Sequence, residues 1–167
     1  ALVNSGDISI TGNATNGSTN TADLIIGGPA GFGTAGVLTG NVLLNGHGHL
    51  QFGSGGIGTI AAGAQLRLLR QALLSTAASP DHNSALAGLS RIDGQFDVGY
   101  GQTLVIGNDV SIGTAGAWSI DGGAFSAQGG SDVTVTGTLI NAGNLAIGEP
   151  TGGGTAPTHV GATSFVN

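Results

Sequence analysis

The sequence predicts an all-β chain wound as a right-handed parallel β-helix, and three observations predict it. Apolar residues alternate with polar ones in short bursts, Gly, Asn and Asp recur between the bursts, and charged and aromatic residues are scarce, at 7% and 4%. Bursts of period two are half-buried strands. Gly and Asn between them suit corners, where the chain turns through conformations that other residues resist. With so few aromatics, the interior must be filled by stacked Val, Ile, Leu, Ala and Thr, which fits a narrow coil. A β-sandwich is the alternative, but it would want more aromatics and a larger two-sheet core.

The elements follow in order. Ile8-Ser9-Ile10, Val42-Leu43-Leu44, Leu50-Gln51-Phe52, Phe96-Asp97-Val98 and Leu104-Val105-Ile106 each read as a strand. Val110-Ser111-Ile112, Trp118-Ser119-Ile120, Val133-Thr134-Val135 and Leu145-Ala146-Ile147 continue the series. One stretch dissents. Between Ala61 and Ser79, the residues Leu66, Leu69, Leu73 and Leu74 stand at helical spacings, and Pro80 ends the run. A short helix near 65–79 therefore competes there with a strand over Gln65 to Leu69 followed by a loop. The stretch Asn83 to Leu89 is similarly ambiguous. At roughly 20 residues per coil the chain would make about eight coils, a rod of roughly 40 Å at about 4.8 Å per coil.

A long-range repeat organises the chain. Leu24-Ile25-Ile26-Gly27-Gly28-Pro29 returns as Leu145-Ala146-Ile147-Gly148-Glu149-Pro150, an offset of 121. Leu2 to Ile10 resembles Leu139 to Ile147, an offset of 137, with the polar tract Thr11 to Asp23 accounting for the longer first copy. This divides the sequence into the end of one unit (1–28), one full unit (29–149) and the start of the next (150–167). With neither an initiator Met nor a signal peptide at one end, and an apolar alternating run at the other, the sequence reads as a segment of a longer chain.

Composition excludes several functions. Three Arg and no Lys in a chain of net charge −6 cannot supply a basic patch for nucleic acid. The absence of Cys excludes disulfide frameworks and zinc fingers. Gly, Asn and Thr interrupt every apolar run, so no transmembrane helix is expected. A 40% apolar content and a mean hydropathy of +0.28 argue for a folded chain despite 34 glycines.

Three stretches carry a resemblance. Leu38 to Gly46 with Phe52 and Ile57 to Leu66, then Asn83 to Leu89 with Ile92 to Val98 and Gly101 to Leu104, then Gly130 to Leu145 stand in the order of one repeat unit. In that order they resemble the opening, middle and end of a unit of very large bacterial β-strand-repeat surface proteins. The resemblance covers nearly the whole chain, and only the order of its low-complexity motifs is specific. It implies a secreted, adhesin-like or autotransporter-like β-solenoid akin to filamentous haemagglutinins, at the bacterial cell surface or outside the cell. The expected work is structural or adhesive, with neighbouring repeats and further copies as partners and a host or matrix glycan or protein as a possible target. The alternative is a β-helix that binds or cleaves carbohydrate. The chain departs from the pattern at Arg67 to Leu74, where Arg and Leu are denser than strands and turns would want.

Candidate chemistry is sparse. His47-Gly48-His49 would put two imidazoles on one face of a strand, a partial metal site with no third ligand nearby. Asp93 and Asp97, four apart, could form a carboxylate pair of the kind that cleaves polysaccharides. Asp109, Asp121 and Asp132 would stack if a coil were about 12 residues long, although Asp also serves simply to cap turns. Tyr100 and the three arginines are the few partners an active site could enlist. Gly129 to Val133 faintly resembles a calcium-binding turn, in a single copy. Gly152-Gly153-Gly154 lacks the Lys-Ser/Thr of a phosphate loop. Thr134 and Thr136 form too short a ladder for ice binding, and Asn13-Ala14-Thr15 and Asn16-Gly17-Ser18 match the glycosylation sequon. No catalytic, cofactor-binding or metal residue is assigned from the sequence, and no enzymatic activity is expected.

Overall fold

A computed structural model describes residues 2–13, 20–121, 130–148 and 156–167. It is a parallel β-solenoid of about five turns, 58% strand, in which each coil visits three faces. The first coil runs through β1 (Asp7–Thr11), β2 (Ala22–Pro29), a short antiparallel hairpin of β3 (Gly31–Phe32) and β4 (Thr34–Ala35), and β5 (Val37–Leu38). The second contains β6 (Asn41–Asn45), β7 (Gly48–Ser54) and β8 (Thr59–Ile60), and the third β9 (Gln65–Leu69), β10 (Leu73–Thr76) and β11 (Arg91–Ile92). The fourth contains β12 (Gln95–Gly99), β13 (Thr103–Ile106) and β14 (Val110–Ile112). Then follow β15 (Ala117–Ile120), the long β16 (Asp132–Asn141), β17 (Asn144–Ile147) and the long β18 (His159–Val166).

The first face is the sheet β1-β6-β9-β12-β15-β17, parallel throughout. β2, β7 and β10 form the second face of the early coils. β16 wraps a corner, pairing β13 with its first half and β14 with its second, so the later second and third faces are one sheet. This parallel register excludes the antiparallel sandwich. Among the described residues no helix is long and apolar enough to cross a membrane.

Period two explains the core. On the first face Ile8, Val42, Leu66, Phe96, Trp118 and Leu145 stack in one inward column, and Ile10, Leu44, Leu68, Val98, Ile120 and Ile147 in the next. Each aliphatic side chain of these columns that is fully removed from water, such as Leu44, Leu66 and Ile120, contributes roughly 1.5–3 kcal/mol. Leu24, Leu50 and Leu74 line the second face. Phe96 and Trp118 lie face to face on adjacent coils, with ring centroids 5.6 Å apart and planes inclined by 13°.

Two expectations need correction. Of the two readings of 65–79, the strand over Gln65 to Leu69 is present as β9 and no helix forms; the remainder holds β10 rather than only a loop. Leu66 and Leu68 are claimed by the columns above and below, and a packed parallel ladder outweighs the modest helical preference of Leu, Gln and Arg. The coils are also longer and fewer than eight. Successive first-face partners Asp7, Asn41, Gln65, Gln95, Ala117 and Asn144 lie 34, 24, 30, 22 and 27 residues apart. Corners take up the surplus, such as the segment 77–90 between β10 and β11. Within the ambiguous stretch Asn83 to Leu89, Ser84–Leu86 forms a single 3-10 turn, with Ala85 and Leu86 buried.

The two repeat offsets land differently. Leu2 to Ile10 and Leu139 to Ile147 both lead into the first face, through β1 and β17, whereas Leu24 to Ile26 lies on the second face and Leu145 to Ile147 on the first.

Glycine has two distinct jobs at the corners. Gly94, Gly116 and Gly143 directly precede first-face strands, and a Cβ there would sit 2.3, 2.1 and 2.2 Å from a carbonyl oxygen of the preceding coil. Backbone approach, not torsional freedom, requires glycine at these three positions. The corner leaving the first face is different, because its residues adopt the left-handed conformation. Gly46 (φ 60°), Arg70 (66°), Tyr100 (63°), Asp121 (50°) and Gly148 (80°) occupy it in successive coils.

Candidate functional site

The second face is split in the third coil. After Thr76 the chain loops away through 77–82 and returns at Asn83, which fits between β10 and β13. The Asn83 side chain replaces a ladder rung: its Oδ1 accepts from the Leu74 N–H (2.9 Å), and its Nδ2 donates to the Thr103 carbonyl (3.2 Å) and to Gln102 Oε1 (2.9 Å). Gln102 Nε2 donates in turn to the Ala72 carbonyl at 2.8 Å. Ser84 Oγ accepts from the Thr76 N–H and donates to the Ser79 carbonyl. These amides and this hydroxyl are fully engaged, so they fix the floor of the opening they create.

That opening is a groove of about 880 Å³. Its rim carries His47, Arg70, Gln71, Ser79, Asp81 and His82, over apolar surface from Leu73, Ala87 and Val105. The Arg70 guanidinium lies over the Tyr100 ring of the next coil, 4.6 Å from its centroid. Stacking occurs because both residues occupy the left-handed corner, and the Arg70 N–H donates to the Gly99 carbonyl across the coils.

The same corner holds Asp121 one coil further on. Its carboxylate is buried and accepts four hydrogen bonds, from the Tyr100 N–H (2.9 Å), the Ser131 N–H (2.8 Å), the Ser131 hydroxyl (2.9 Å) and the Thr158 hydroxyl (2.8 Å). It pins consecutive coils together. Asp109 caps the backbone, accepting from the Thr138 N–H at 2.6 Å, and Asp132 lies exposed on β16. The three acids do not stack, because coils of 20–34 residues place them at unrelated positions.

Asp93 and Asp97 each have their own arginine. Asp93 pairs with Arg91. Asp97 sits on the outer side of β12, its Oδ2 3.4 Å from Arg67 Nε, with amide donors from Gln95 and Gln65. Burial pushes the Asp97 carboxyl above the ordinary range, against the lowering effect of the Gln95 hydrogen bond and the Arg67 charge. The folded protein therefore holds this proton to higher pH than the unfolded chain does. The resulting contribution is fully present at acid pH and is lost as pH rises through the folded-state value. Denaturation midpoints across that range should fall for the wild type and stay flatter for Asp97→Asn; parallel curves would contradict the assignment.

His47 and His49 part company. His47 lies in the turn before β7 and faces the groove, whereas His49, on β7, points outward on the second face. His49 Nε2 is 2.6 Å from Ser75 Oγ on the next coil, and Nδ1 is 3.5 Å from Asp23 on the previous one. An Asp, His and Ser in line suggest a nucleophile with its base. Ser75 is fully buried, however, so its hydroxyl cannot meet an external carbonyl. The trio works as a polar rung across three coils. Among the described residues no group of three metal-binding side chains occurs.

The sequons Asn13-Ala14-Thr15 and Asn16-Gly17-Ser18, the triplet Gly152-Gly153-Gly154 and residue Gly129 involve positions outside the described residues. Ser131, in the stretch read as a calcium turn, serves Asp121 instead. Comparison with protein-family models, curated proteins and solved structures returns no match.

The groove went unread in the sequence because its walls come from three coils. One signal was present. Aligned on their strands, Asn45-Gly46, Leu69-Arg70 and Gly99-Tyr100 place a lone Arg and the lone Tyr in a slot that glycine fills elsewhere.

Proposed function

We propose that the chain is a structural and adhesive module of an extracellular bacterial surface protein or filament, which extends a rod by adding coils and by self-association. One observation carries the reading: the aliphatic columns run out into solvent at the last coil. Ile147 is 49% exposed and Phe165 55%, whereas Ile120 and Leu139, one coil earlier in the same columns, are 0% and 2% exposed. β17 and β18 each pair on one side only among the described residues. An open strand edge beside exposed core is a template for further strands. A following coil, of the same chain or of another copy, would cover both.

The cell-surface setting is part of the proposal and rests on the resemblance of the repeat order. The ladder and the aliphatic columns suit mechanical work, since they hold the rod without disulfides. Sedimentation velocity over a concentration series, with electron microscopy, tests the assembly. A protein of these 167 residues should form rods that lengthen with concentration at constant width. A monodisperse monomer at high concentration would overturn the self-association.

A further inference from the structure

The groove of the second face has the chemistry of a binding site, and three independent observations show what it would take. The first concerns charge. Arg67 is beside Asp97 and Arg91 is paired with Asp93, whereas Arg70 has no carboxylate partner among the described residues, in a chain with nine acids and three arginines. The second concerns backbone. Arg70 occupies a left-handed position that Gly46, its register partner in the preceding coil, fills without strain. A non-glycine residue there holds a disfavoured backbone conformation, and strain retained beside a cleft points to a use for the side chain. The third concerns saturation. Floor residues Asn83, Ser84 and Gln102 are engaged with backbone, while the side chains of His47, Gln71, Ser79, Asp81 and His82 make no hydrogen bond or ion pair among the described residues. The polar groups that hold the groove are separate from those free to meet a ligand.

We propose that this groove binds an acidic saccharide, its carboxylate held by Arg70. A guanidinium takes a carboxylate through two parallel N–H donors, and the Tyr100 ring fixes its plane from behind. Amide, hydroxyl and imidazole groups along the rim match sugar hydroxyls, and Leu73, Ala87 and Val105 offer apolar surface to the C–H face of a ring. Volume agrees: about 880 Å³ lies within the roughly 300–1,000 Å³ of small-ligand sites. Net charge narrows the class further. A chain of −6, with Asp81 in the rim, repels dense polyanions, so the fitting ligand spaces its carboxylates between neutral sugars. This adds a ligand to the adhesive reading and is independent of rod assembly.

The test is titration calorimetry with a tetrasaccharide alternating glucuronate and N-acetylglucosamine, its neutral methyl ester, and a triglutamate peptide. The wild type should bind the acid form, and the ester should bind at least about tenfold more weakly, the loss of one charge-assisted fork. Arg70→Gly, which reproduces Gly46 and keeps the corner backbone, should weaken the acid form to the level of the ester. Arg91→Gln, distant on the third face, should bind as the wild type does. His82→Ala, on the exposed rim and outside the ladder, should weaken binding without changing the circular dichroism spectrum, and so guards against misfolding of the Arg70 variant. Absence of binding at millimolar sugar, equal affinity for acid and ester, or full binding by Arg70→Gly would overturn the proposal. Preference for triglutamate would also overturn it, by assigning the groove to acidic peptide. Failure of sugar binding with intact rods would leave the structural reading standing.

Discussion

Asp121→Ala is expected to destabilise the protein by about 3–5 kcal/mol, the combined cost of two buried N–H donors left without an acceptor and of a left-handed alanine. The Ser131 and Thr158 hydroxyls can turn elsewhere, but the Tyr100 and Ser131 N–H groups are fixed and would lose their acceptor. A buried donor left unsatisfied costs roughly 1–3 kcal/mol. Alanine would also have to hold a φ of 50°, which Asp tolerates better. Asp121→Asn keeps the backbone preference and one carbonyl oxygen, so about half the loss is expected. Urea unfolding followed by the fluorescence of the single tryptophan measures both. A loss under about 1 kcal/mol for Asp121→Ala would show that the carboxylate does not clamp the coils.

Trp118→Ala is the second large effect, at about 3–5 kcal/mol. The side chain is 1% exposed and stacked on Phe96, so truncation leaves a cavity inside a column that cannot close without shifting two coils. Trp118→Phe should behave differently. The indole Nε1 is buried and has no hydrogen-bond partner among the described residues, so removing it also removes an unsatisfied donor. That relief offsets part of the lost packing, and a net loss of about 1 kcal/mol or less is expected. Circular dichroism is the readout, because both variants lack tryptophan. Equal losses for Ala and Phe would mean that the indole N–H has a partner and that the stacking contributes little.

The strands were legible because each is a local pattern. Phe96-Asp97-Val98 and Leu104-Val105-Ile106 alternate within β12 and β13, and no distant residue is needed to see it. The stretch 61–79 was legible only as a choice between helix and strand, because Leu66 and Leu68 have a helix former's local preference and acquire their strand from Val42 and Leu44 below and Phe96 and Val98 above. Coil number failed for a related reason. Corner lengths, unlike strands, carry no periodic signal, so registers of 34 and 22 residues look alike until the ladder is built. The groove lay furthest from view. Arg70, His82 and Gln102 are separated in sequence and meet only through stacking, and Asn83 reads as a turn residue until it is seen spanning two strands. The histidines misled in the opposite direction, since adjacency in sequence joined two side chains that the turn before β7 separates.

In the proposed assembly, rods grow by continuing the ladder past the last coil. Hydrogen–deuterium exchange of the β17 and β18 amides, measured at low and high protein concentration, tests this most directly. Protection should appear in these strands as concentration rises, while β9 and β12, already paired on both sides, should stay equally protected at both concentrations. Exchange in β17 and β18 that is fast and identical at both concentrations would contradict growth through the ladder.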